Sequence, residues 1–141
     1  MNRKLLSALD RVRHRLRVRH LAPHLATGRR GEDLAHRFLE RNGFRVVARN
    51  YRTRSGVGEI DLIAWEQSTL VFVEVKTRTS DAIAAPERNV DPGKADRMRI
   101  GVRDYLRRLH RFEGEWRMDL VTIVLEPKQS ITHYRGAFSR G

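Results

Sequence analysis

The chain has 141 residues, 40% apolar and 33% charged, with no cysteine and no run approaching the ~20 consecutive apolar residues a membrane helix requires. That length fits one domain with its own core; the missing cysteine excludes disulfides, thiolate zinc sites and a cysteine nucleophile, and points to a reducing compartment such as the bacterial cytoplasm. The 29 Lys and Arg against 17 Asp and Glu give a net charge of +12, which draws the chain to polyanions, nucleic acid first, without separating DNA from RNA or anionic lipid.

The charge is concentrated at the start. Residues 1–30 hold nine basic side chains and one acid, Asp10. Within them Leu5, Leu9, Val12 and Leu16 recur at the spacing of one helical face, arginines fill the remainder, and Pro23 is expected to end the segment. Residues 1–26 are therefore read as a basic extension of the domain at 27–141. Three uses compete: a solvated extension, a helix that binds phosphate or a partner, and a membrane-surface or targeting helix. A secretory signal is not expected, because no apolar stretch of ~7–15 residues follows the basic start.

"TGRRGEDLAHRFLERNGF" predicts a helix with Ala35, Phe38 and Leu39 as its apolar stripe, closed by Gly43 in the left-handed position. Glu32 falls on the inner edge of that stripe; as a first-turn acid it needs no role beyond favouring the helix dipole. Three strands are predicted next. "FRVVARNY" alternates Phe44, Val46 and Ala48 against charged neighbours. "VGEIDLIAW" sets Glu59, Asp61 and Ile63 against Ile60, Leu62 and Ala64, and "TLVFVEVKTR" sets Val71, Val73 and Val75 against Phe72, Glu74 and Lys76. The "EQST" between the last two predicts a hairpin and antiparallel pairing. Residues 79–93 read as a loop ending in Asp91 as helix N-cap and Pro92 at the first helical position. Met98, Val102, Tyr105, Leu106 and Leu109 mark a second amphipathic helix, "WRMDLVTIVL" a fourth strand, and the tail a short edge strand. The expected fold class is α/β: one mixed sheet flanked by helices.

Charges inside strands need a reason, since burying them unpaired costs several kcal/mol. Glu74 and Lys76 project from one face about 7 Å apart, and the hairpin brings Asp61 alongside Glu74. Two close carboxylates repel unless a cation lies between them, and oxygen ligands with open water positions suit Mg²⁺ or Mn²⁺. A neighbouring lysine can hold or help deprotonate the water that attacks a phosphodiester. The competing account is a structural salt bridge from Lys76 to Glu74 or Asp61.

"GRRGEDLAHRFLERNGFRVVARNYR", "GEIDLIA", "LVFVEVKTR", the lysine of "DPGKADRMRI" and "RMDLVTI" resemble, in that order, the bacterial YraN-like family. That family is placed in the restriction-endonuclease-like PD-(D/E)XK superfamily, which includes archaeal Holliday-junction resolvases. The resemblance spans about residues 27–138. It implies a restriction-endonuclease-like mixed sheet and a metal-dependent endonuclease acting on DNA, branched or processed DNA included. Asp61 would be the motif aspartate, Glu74 and Lys76 the "ExK" pair, and Glu32 an added helix carboxylate. The implied metal ligands are Asp61, Glu74 and Glu32, with Mg²⁺ or Mn²⁺ as cofactor. Junction-cutting members work as symmetric dimers, so a homodimer is the assembly the resemblance allows. The loop "TSDAIAAPERNV" lacks the family's usual "FG", "RMD" replaces the common "RFD", and the basic extension lies outside the pattern. The alternative function is a non-catalytic nucleic-acid-binding protein that keeps the fold.

Arg29, Arg30, Arg78 and Lys94 are the candidate nucleic-acid contacts; Arg97, Arg103 and Arg107 fit a backbone track or a solvated helix face equally well. Trp65 and Trp116 are expected to pack at strand ends rather than stack on bases. His20 and His24 have helical ligand spacing, which Pro23 between them spoils. Gly58 fits a turn or strand entry, and Ser55, Ser68 and His110 form no recognisable nucleophile–base set.

Overall fold

The computed structural model describes residues 23–80 and 92–140; the apolar stripe from Leu5 to Leu16, His20, Asp91 and most of the predicted 79–93 loop lie outside the described residues. Helix α1 spans Pro23–Arg41. Strands β1 (Phe44–Arg52), β2 (Glu59–Glu66) and β3 (Thr69–Ser80) follow, then helix α2 (Pro92–Arg108) and strands β4 (Trp116–Glu126) and β5 (Ser130–Tyr134). The strands lie in chain order, β3–β4 parallel and the other neighbours antiparallel. Over the described residues the architecture is an α/β fold with a five-stranded mixed sheet and two helices. Neither helix is long and apolar enough to cross a membrane.

The alternation of β3 makes three layers. Val71, Val73 and Val75 pack with Val121 and Ile123 of β4 against Ala35 and Leu39 of α1. Leu70 and Phe72, from the opposite side of the same strand, pack with Ile63 and Met118 against Met98 and Val102 of α2. A run buried on both faces is what the β-branched and aromatic composition of β3 encodes.

Three local expectations are corrected. Helix α1 begins at Pro23, earlier than the expected start near Thr27, because the fixed φ of proline suits a first helical turn; the segment Pro23 was expected to end lies outside the described residues. β3 continues to Ser80 instead of stopping at Arg78, because β4 runs beside it as far as the Ser80–Glu126 pair. In β1 the register shifts between Val46 and Ala48; the extra residue inverts the alternation. Phe44 and Val46 therefore face the α1 layer, Ala48 and Tyr51 the α2 layer. Gly43 does take the left-handed position after α1, with φ 87°.

Two glycine contacts set the helix positions. A Cβ on Gly31 would lie 1.7 Å from Thr77 Oγ1, so α1 meets β3 at a spacing only glycine allows. Gly31→Ala should destabilise the fold by about 1–3 kcal/mol through forced separation of helix and strand, measured by urea unfolding. Gly31→Ala/Thr77→Ala should recover part of that loss; full stability in the single variant would contradict the packing. On the other layer a Cβ on Gly58 would lie 2.7 Å from the Gly101 backbone nitrogen. Gly58 thus does more than open a strand. It is the point where α2 crosses the start of β2, backbone against backbone, and it is pinned by its N–H donating to Thr53 Oγ1 at 2.9 Å.

Candidate functional site

The sheet forks at its middle. β2 and β3 pair from Glu66–Thr69 to Leu62–Val73 and then part. Beyond that point β2 stays with β1 as far as Glu59–Arg52, and β3 stays with β4. Asp61 stands in the opening. Its Oδ2 accepts the Val75 N–H at 2.8 Å, so a side chain takes over where the strand ladder ends. Glu74, on the α2 face of β3, is buried beside it, close enough for each carboxyl to bear on the other's charge.

Lys94, in the first turn of α2, closes this pocket. Its ammonium pairs with Glu74 Oε1; the Glu74 side chain is 5% exposed and that of Lys94 32%. Oε1 is buried and takes the ammonium as a charge contact without the alignment of a hydrogen bond. Burial first, then the charge of Asp61, pushes the Glu74 carboxyl up to about 8 against the pull of Lys94. Burial also raises Asp61, opposed by the Val75 N–H and by Lys94. Two carboxyls so placed resist ionising together, and their titrations are linked. For Lys94 burial works downward, but Glu74, then Asp61 and Glu59, outweigh it and raise its pKa; it remains an ammonium.

Glu32 approaches from α1. Burial, then the Asp61 charge, raises its pKa, while Asn50 Nδ2 donates to its Oε2 at 3.1 Å. Asn50 makes that contact from a left-handed backbone, φ 51°, which Asn tolerates better than most residues. Arg49 lies 3.8 Å from Glu32 and makes its closer contact, 2.7 Å, with Asp33. Lys76 follows Glu74 on the same face of β3, half-buried. Among the described residues, no three His, Asp or Glu side chains converge as a ready-made metal cage.

The structure thus brings Asp61 and Glu74 together, keeps Glu32 within electrostatic reach of Asp61, and adds Lys94. Lys94, a candidate nucleic-acid contact from sequence, pairs with Glu74. Sequence spacing had no means of showing this, because the contact depends on where α2 crosses β2. Arg29 and Arg30 are exposed on α1, and Arg78 is half-buried, its Nε without a hydrogen-bond partner. Trp65 and Trp116 pack edge-on against Phe112 and Phe72, each at 5.9 Å between ring centroids.

A second charged cluster went unpredicted. Asp119 of β4 is fully buried. It accepts from Arg117 Nε at 3.0 and 3.1 Å and from the Gly136 N–H at 2.9 Å, and pairs with His133 Nε2 at 2.7 Å. Arg117 and Arg135 both reach Glu66 Oε1, at 2.8 and 2.6 Å. Each carboxylate here has its partners, which makes this cluster a staple holding β5 and the turn after it onto β4.

Comparison with known proteins places these residues in a family. A family model described as "Uncharacterised protein family UPF0102" matches residues 31–123, a span that includes Glu32, Asp61, Glu74, Lys76, Lys94 and Asp119. A UPF0102 protein of Solibacter usitatus is 48% identical over 95% of this chain and 97% of its own length. One from Koribacter versatilis is 46% identical over 82% of this chain and 80% of its own, and one from Rhodococcus opacus 42% identical over 84% of this chain and all of its own. The chain belongs to the UPF0102 family.

Proposed function

We propose that this protein is a metal-dependent endonuclease that hydrolyses DNA phosphodiesters, on a restriction-endonuclease-like version of its α/β fold, with Mg²⁺ or Mn²⁺ as the cation. The observation that carries the reading is the Asp61–Glu74 pair, a half-buried and a buried carboxyl side by side in a fork of the sheet of a chain with net charge +12. These residues fit a hard divalent cation. Their mutual repulsion is what such an ion relieves, Glu74 Oε1 already attracts a cation, the Lys94 ammonium, and all the donors are oxygens. Asp61 and Glu74 would hold it, with Glu32 completing the set through water. When bound, the cation supplies positive charge against the negative charge that develops on the phosphate.

The remaining work belongs to the chain. Lys76, next along from Glu74, holds the attacking water and favours its deprotonation. Glu32 orients that water from the α1 side. Arg29, Arg30 and Arg78 neutralise flanking phosphates. DNA as partner, a homodimer and the bacterial cytoplasm as location belong to the same proposal.

A second reading has its own supporting observation: the Lys94–Glu74 ion pair balances the acidic pocket without any added cation. Under it the protein binds nucleic acid and cuts nothing. The deciding experiment offers single-stranded, duplex, flapped and four-way-junction DNA with Mg²⁺, Mn²⁺ or EDTA. Cutting that EDTA abolishes is the expected result. Binding that falls steeply with salt, is indifferent to Mg²⁺ and leaves every substrate intact would establish the second reading instead.

A further inference from the structure

The cation that the nuclease reading requires and the ammonium of Lys94 need the same oxygen. Glu74 Oε1 is buried, and its contact is Lys94 Nζ. A Mg²⁺ or Mn²⁺ ion coordinates carboxylate oxygens at roughly 2.0–2.2 Å, which leaves no room for an ammonium at the same oxygen. Like charges at that separation repel strongly in a partly desolvated pocket. Lys94 is also the solvent-accessible member of the pair, where Glu74 is buried. It cannot be carried away by a free rotation of α2, because Gly58 and Gly101 fix the crossing of that helix over β2. Any relief has to come from the lysine side chain itself.

We propose that Lys94 is a built-in counter-cation that holds the Asp61–Glu74 pocket in the metal-free protein and is exchanged for the divalent ion when the ion binds. The inference rests on the nuclease reading and adds a regulation to its site: metal enters by ejecting a lysine. The free protein is spared an unbalanced acidic pair, and its metal affinity is set lower than two carboxylates alone would give.

The experiment is Mn²⁺ binding at pH 8 by calorimetry to the full-length wild type, Lys94→Met, Lys94→Arg and Asp61→Asn, with thermal unfolding as the control for folding. Lys94→Met is expected to bind about tenfold or more tightly than wild type, the effect of removing one nearby positive charge. Lys94→Arg keeps that charge and should stay within a few-fold of wild type. The wild-type chain supplies an independent readout: the ¹⁵Nζ resonance of Lys94, followed during Mg²⁺ titration, should move in step with binding. Mn²⁺ binding that Asp61→Asn removes, but that Lys94→Met weakens or leaves unchanged, would overturn the exchange and leave the metal site standing. A Lys94 signal that stays still while Mg²⁺ saturates the site does the same. If neither wild type nor Lys94→Met binds Mn²⁺, the nuclease reading fails and the exchange falls with it.

Discussion

Under the proposed nuclease function, replacing Asp61 with Asn is expected to lower metal-dependent DNA cutting by at least about 10³-fold, a loss of about 4 kcal/mol of transition-state stabilisation, without unfolding the protein. The two halves of that result have different origins. Catalysis is lost because the amide keeps the shape of the side chain but not its charge, and a divalent ion needs the charge. The fold survives because the Asn carbonyl oxygen can still accept the Val75 N–H that Asp61 Oδ2 accepts at 2.8 Å. Asp61→Ala separates the effects: it abolishes cutting equally and also strands the Val75 N–H in the fork, at a cost of roughly 1–3 kcal/mol. Parallel single-turnover assays and urea unfolding of the two variants check both halves. An Asp61→Asn protein that cuts like wild type would remove Asp61 from the chemistry, and the nuclease reading with it.

The largest effect on stability is expected far from that pocket. Asp119→Ala should cost roughly 3–5 kcal/mol, the usual loss when one partner of a buried ion pair is removed and the others are left behind. Here those others are Arg117, His133 and the Gly136 N–H. The same cluster predicts a pH dependence. Burial would raise Asp119, but His133, Arg117 and the Gly136 N–H outweigh it and hold the carboxyl below its ordinary range. Glu66, hydrogen-bonded first by Arg135 and then by Arg117, is lowered to about 2. For both groups the unfolded chain binds protons more readily than the folded one. Their stabilisation is therefore complete above the unfolded carboxylate value near ~4 and is lost as pH falls through that value toward 2. Denaturation midpoints measured between about pH 6 and 2.5 should fall steeply in wild type and less so in Asp119→Asn. Parallel curves would mean that Asp119 does not govern acid stability.

Much of this was legible from residue order. The alternation of β3 and the short "EQST" loop fix which side chains share a face and that β2 and β3 run antiparallel, so Asp61 beside Glu74 follows from local pattern alone. What escaped depends on contacts distant in sequence. The Lys94 position is set by a glycine–glycine crossing, and nothing in "DPGKADRM" reports which way that lysine turns. Asp119 reads as one acid in a strand; its partners Glu66, His133 and Gly136 come from other elements, and only the assembled sheet puts them within reach. The Val47 bulge carries no Gly or Pro to announce it, so the alternation through Ala48 looked continuous when it was not. Membership of the UPF0102 family agrees with the YraN-like resemblance and leaves the chemistry of the pocket to experiment.

The fork between β2 and β3 has a consequence beyond placing Asp61. Most amides of a sheet report on their neighbouring strand, but the Val75 amide reports on a carboxylate. Protonation of Asp61, arrival of a cation or loss of the side chain each alters the acceptor of that one N–H, while Val73, one pleat away, stays within the last β2–β3 pair. Val75 is in effect a spectroscopic tag supplied by the fold: the backbone resonance through which the state of the pocket can be followed without substrate, turnover or any added label.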